Sequence, residues 1–162
     1  MTTKAQSILA NANTVLAAID GLPTYLTAVH AVYGHDKPYR APQESEGGDR
    51  PYLNMGMPTT EALEEANLKT VKRMSFPVEG VVSYDASDPA ASRAAAQNLM
   101  GDVERALVTD PTRGGYAIDT VVVGESQPSM IETRDPGRPG VVTTEQTVQV
   151  TFGHSRTDPS TD

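Results

Sequence analysis

The residues best suited to metal chemistry are three histidines, His30, His35 and His154. No two have the H-x-x-x-H spacing that sets a pair of imidazoles on one helical face. His30, His35 and Asp36 still offer two imidazoles and a carboxylate, a donor set that suits zinc. They define one candidate site, that of a small metal-dependent enzyme or ligand-binding protein. Against it, His30 alternates with Val29 and Ala31 in strand fashion and His35 opens a loop. That is the pattern of one partly buried and two surface histidines. Cysteine is absent, which excludes thiolate nucleophiles, disulfides and Cys-type zinc sites.

Other chemistry is weaker still. Gly124-Glu125-Ser126-Gln127-Pro128 begins like a nucleophile elbow but lacks the final glycine and the following helix. Glu61, Glu64 and Glu65 could share a helical face, yet no aromatic sugar platform or apolar pocket accompanies them, so they read as a solvated face. Gly114-Gly115 follows a helix instead of opening one, so it ends that helix and cradles no phosphate. Tyr33, Tyr39, Tyr52, Met55 and Met57 gather around a long loop, and Tyr and Met are enriched where proteins meet. They are candidate partner contacts, unless Tyr52, Met55 and Met57 pack beneath the loop.

The elements that position these residues follow from periodicity. Ile8, Leu9, Ala12, Val15, Leu16 and Ile19 form one helical face, which predicts a helix over 3–19 stopped by Gly21 and Pro23. Leu26 to Tyr33 is rich in β-branched and aromatic residues and reads as a strand. Residues 34–50 carry prolines, glycines and acids with no apolar period and read as an exposed loop. Pro51 to Met57 reads as a short strand. Thr59 to Glu65 opens like a capped helix, although a single turn before a strand fits as well. Leu68–Met74 and Pro77–Tyr84 are strand material, with Val78, Gly80, Val82 and Tyr84 on one side.

Asp88-Pro89 predicts a second helix over 88–108, with an apolar stripe of Ala95, Leu99, Val103, Ala106 and Leu107. Residues 118–131 and 141–152 predict a long terminal antiparallel hairpin around a turn-rich tip, Thr133 to Gly140. Val148, Val150 and Phe152 point inward. The expected fold is a single α+β domain over 1–154, its mainly antiparallel sheet packed by two helices on one face, followed by a polar tail over 155–162.

Composition narrows the class. Asp plus Glu number 21 against 13 Lys plus Arg, so the net charge of -8 opposes broad phosphate binding. Ile, Leu, Val and Phe together number only 31 of 162 residues, which predicts a thin core finished by neighbouring subunits. No apolar run reaches the length of a membrane span. Asn11, Asn13 and Thr14 interrupt the run after Lys4, so no cleaved signal is expected.

The order of elements, with Asp102-Val103-Glu104-Arg105-Ala106-Leu107, Asp110-Pro111, Gly114-Gly115 and the ending Thr147-Val148-Gln149-Val150-Thr151-Phe152, resembles the tail terminator (tail completion) proteins of long-tailed bacteriophages. The resemblance covers the chain from Phe76 onward and is loose before it. Neck or head-closure connector proteins are the nearest alternative class. The resemblance implies a subunit of a hexameric ring in the virion, at the head–tail junction, with no catalytic residues and no cofactor. Its partners would be further copies of itself, the major tail tube protein and a head–tail connector or stopper protein. DNA would pass through the lumen without specific binding, which a negative charge favours. The 34–50 loop and the 134–140 tip, carrying Arg134 and Arg138, would then serve as arms.

Overall fold

The structure is a computed structural model that describes residues 2–42, 50–66, 69–131 and 140–155. Its elements are α1 (Lys4–Ala17), β1 (Val32–Tyr33), β2 (Tyr52–Met55), β3 (Thr59–Ala66), β4 (Lys69–Ser83), α2 (Pro89–Thr109), β5 (Asp119–Glu125), β6 (Ser129–Ile131) and β7 (Val141–Ser155). The seven strands form one sheet in the order β1-β2-β4-β7-β5, with β3 beside β4 and β6 beside β7. Only β1 and β2 pair in parallel. This is the α+β fold with a mainly antiparallel sheet that the periodicities predict.

The spine is the β4·β7 ladder, which pairs Lys69 with Ser155 at one end and Ser83 with Val141 at the other. Alternation puts Met74, Phe76, Val78 and Val82 on one face, opposite Val150, Val148, Gln146 and Val142. That face lies beneath the helices and holds the main core, where Ile8, Ala12 and Leu16 of α1 meet Ala96, Leu99, Met100, Val103, Ala106 and Leu107 of α2. Val148, Val150 and Phe152 are buried as expected. The stripe on α2 is turned slightly from the expected one: Ala96 is buried and Ala95 exposed. Methionines 55, 74 and 100, with alanines 12, 96 and 106, fill space that larger aliphatics would otherwise occupy. The main core lies on this one side of the sheet.

Local chemistry accounts for both helices. Asp88 accepts the Ala91 backbone N–H at 2.9 Å, with Pro89 behind it. Thr3 and Gln6 form a capping box at the start of α1, a pairing the apolar period does not reveal. At the far end of α2, the fully buried Arg113 donates to the carbonyls of Leu107 and Asp110, groups a helix end leaves unpaired. Asp110 accepts from the Thr112 hydroxyl and the Gly114 N–H, which hold its carboxyl below the usual range.

Three expectations are corrected. Thr59 to Glu65 is a strand, because the edge of β4 offers backbone partners to all of these residues but the bulged Leu63. Glu61 also faces a cation there and pairs with Arg73 at 3.5 Å. In 26–33 only Val32 and Tyr33 join the sheet. Before them, the Thr27 N–H donates to Asp102 of α2 at 2.7 Å, the Val29 N–H to the Ile19 carbonyl at 2.7 Å and the His30 N–H to the Pro51 carbonyl at 2.9 Å. The two pieces of strand around Pro77 are one strand. The Pro77 carbonyl accepts from Gly56 N at 2.8 Å, so its missing N–H faces the 56–58 turn, where β2 gives way to β3.

The terminal hairpin forms, but its first arm is broken into β5 and β6 by a register shift after Val123 and by Pro128. Its tip over 132–139, residues 43–49 of the loop and the tail beyond 155 lie outside the described residues.

Two glycines distinguish close approach from open space. Gly34 has φ +93°, and a Cβ there would sit 1.9 Å from the Met55 carbonyl oxygen. Gly34→Ala is expected to cost about 3 kcal/mol. Gly101, in α2, has nothing within 4 Å of its Cβ position. Gly101→Ala is expected to stabilise by about 0.5–1 kcal/mol. Urea denaturation midpoints that moved in the same direction would contradict this pair.

Candidate interaction surface

The proposed metal donors do not converge. His35 Nδ1 lies 2.8 Å from Asp36 Oδ1, but both are surface groups. The other Asp36 oxygen accepts from Asn13 Nδ2 at 2.9 Å, tying the loop to α1. His30 is exposed in the segment before β1. Among the described residues no three His, Asp or Glu side chains group closely enough to hold a metal. Ser126 is structural: its hydroxyl accepts the Glu145 N–H at 2.7 Å where β5 leaves the sheet.

The aromatic and methionine candidates divide. Met55 lies in the main core and Tyr52 is fully buried on the opposite sheet face, so both pack within the chain. Tyr52 and the half-buried Tyr33 stack edge to face at 5.4 Å beside Val81 and Val141, forming a small second cluster. The Arg40 guanidinium lies 5.6 Å from one ring and 5.8 Å from the other, and donates to the Tyr33 hydroxyl at 2.9 Å. Tyr39 and Met57 remain exposed. Arg134 and Arg138 lie outside the described residues.

A hydrogen-bonded group completes this end of the sheet. Asn54, buried on β2, donates to the Arg40 carbonyl at 2.9 Å and to Glu79 at 2.8 Å, and accepts the Arg40 N–H at 3.2 Å. Tyr39 donates to the same Glu79 oxygen at 2.9 Å. The segment 38–42 is therefore laid against the sheet instead of projecting. Arg40, Asn54 and Glu79 are not visible as a group in the sequence. The outward position of Glu79 on its strand is readable, but its partners lie 25 and 40 residues earlier.

Beyond this corner the outer face of the sheet is uncovered among the described residues. Arg73, Ser75, Pro77 and Glu79 on β4 stand opposite Thr151, Gln149, Thr147 and Glu145 on β7. Val121 and Val123 of β5 extend the same face and are 41% and 36% exposed. β3 and β5 bound the sheet here, and among the described residues neither has a second strand beside it. The surface thus presents strand edges, hydroxyls, amides and carboxylates, which is the chemistry of recognition.

Partial burial and the hydrogen bond to Glu79 push the Tyr39 hydroxyl up to about 12. Its stabilising bond is complete below pH 10, the ordinary value, and is lost as pH rises through about 12. In an alkaline titration followed by tyrosinate absorbance, Tyr39 is expected to ionise late. Tyr39→Phe should lower the late amplitude by one tyrosine, and Glu79→Gln should move that amplitude toward pH 10. A late amplitude unchanged by Tyr39→Phe would refute the assignment.

Compared with known proteins, the chain matches no protein-family model, and no curated protein matches it.

Proposed function

We propose that this chain is a structural virion subunit of the tail terminator type, which assembles into a ring, caps the tail tube and offers its other face to the head connector. The observation that carries this reading is the one-sided sheet. Helices cover a single face, while the opposite face and the edges of β3 and β5 are left for association. A subunit with two different free edges suits a heterologous contact, which closes into a ring when its rotation divides a full turn. The net charge of -8 suits a conduit, since carboxylates repel the phosphate backbone. The candidate surface supplies backbone and side-chain recognition groups on an extended sheet, as a capping subunit needs.

The test is assembly. Mass photometry at micromolar concentration, alone and with tube subunits of the same particle, is expected to show one discrete closed oligomer and tubes that stop lengthening when the protein is added. A protein that stays monomeric in both settings, with tubes growing undiminished, would refute the proposal.

A further inference from the structure

The reading above calls for a joint between copies, and the two free edges differ in a way that specifies one. We infer that the β3 edge of one copy pairs antiparallel with the β5 edge of the next. This inference rests on the ring reading and assigns its contact.

Strand polarity permits the joint. β3 runs antiparallel to β4, β4 to β7, and β7 to β5, so β3 and β5 point in opposite directions across one subunit. A second copy in the same orientation therefore brings its β5 beside β3 as an antiparallel partner. Such a partner supplies strand hydrogen bonds to both edges.

Side-chain charge and the partnering of both edges choose among the possible pairings. β3 carries Glu61, Glu64 and Glu65; β5 carries Asp119 and Glu125 around the uncharged run from Thr120 to Gly124. If β3 met itself about its own centre, Glu61 would face Glu64. Like charges directly opposite are destabilising in a sheet. If β5 met itself about Val122, with Gly124 skipped, Glu125 would face Thr120 and no acids would meet, but the β3 edge of each copy would be left without a strand. The mixed pairing avoids the conflict on β3 and gives both edges a partner. Glu61, opposite Arg73, and Val123, opposite Thr147, lie on the outer face; Ala62, opposite Lys72, and Val122, opposite Val148, lie on the inner face.

One register keeps faces matched throughout. It sets Glu61 against Val123, Ala62 against Val122, Glu64 against Val121 and Glu65 against Thr120. The irregularities between Ala62 and Glu64 and between Val123 and Glu125 are absorbed as single skipped residues. No acid then stands opposite an acid. Ala62 lies level with Lys72 of β4, and Val122, through Val148, with Phe76. Successive copies are therefore offset by four residues along the strand, and a sheet that closes on itself requires such a stagger.

The absence of cysteine makes the joint directly testable in the full chain. Glu61 and Val123 both reach solvent, so Glu61→Cys and Val123→Cys leave the core intact. Under mild oxidation, or with a short bis-maleimide, each single variant is expected to give no covalent dimer. An equimolar mixture should give dimers, and the double variant should give a ladder ending at the ring number. Val123→Cys or Glu61→Cys cross-linking with itself would overturn the joint in favour of a two-fold contact. A closed oligomer by mass photometry without a ladder would overturn the joint and leave the ring reading standing. A monomer without a ladder, in the presence of tube subunits, would overturn both.

Discussion

The backbone ladder between β4 and β7 is the constraint on which the other elements depend. It is fifteen residues long on each strand and unbroken from Lys69·Ser155 to Ser83·Val141. Every other strand except β1 pairs directly with one of these two, and β1 reaches β4 through β2. The ladder also sets the facing of each side chain. A slip by one residue would turn Met74, Phe76, Val148 and Val150 out of the core and put Arg73, Ser75, Thr147 and Gln149 into it. Burial of that apolar set against α1 and α2 is what holds the register.

The consequences of a one-sided core run through the rest of the molecule. The chain covers one face fully and treats the other by local means. At one corner the 38–42 segment returns onto the sheet, where Arg40, Tyr33 and Tyr52 stack, Asn54 satisfies the Arg40 backbone, and Glu79 accepts from the Asn54 and Tyr39 side chains. Elsewhere the outer face carries hydroxyl, amide and charged side chains that tolerate water. Edge strands are ordinarily shielded by charge, and β3 follows that rule with its three glutamates, whereas the middle of β5 is a run of valines. An unshielded edge on one side and an acidic edge on the other make the two sides of the subunit unequal. Unequal sides favour head-to-tail association over two-fold pairing. This is the physical basis of the proposed ring.

Much of this architecture is legible in the amino-acid order. Both helices follow from apolar spacing and from Asp88-Pro89, and the alternation of Val148, Val150 and Phe152 gives the inward face of β7. Local pattern suffices there because each signal concerns neighbours within one element. Pattern fails where a distant partner decides. Thr59 to Glu65 has helical propensity, but the open edge of β4 supplies hydrogen bonds that no isolated exposed helix of that length could match. Ala95 and Ala96 are equivalent by spacing from Leu99, and only the seat of α2 on the sheet buries one of them.

The candidate surface divides in the same way. The sequence by itself determined the acidic balance, the absence of thiol chemistry, the helix starts and the strand that must face inward, because composition and short-range period are properties of the chain alone. Tertiary structure decided that Tyr52 and Met55 are packing residues, that Arg40 belongs to an aromatic stack, and that Tyr39 donates a hydrogen bond to Glu79. It also decided which strand edges stay open. Those outcomes depend on the register of β2, β4 and β7, which brings together residues far apart in the chain. No period in the sequence records which backbone lies beside which.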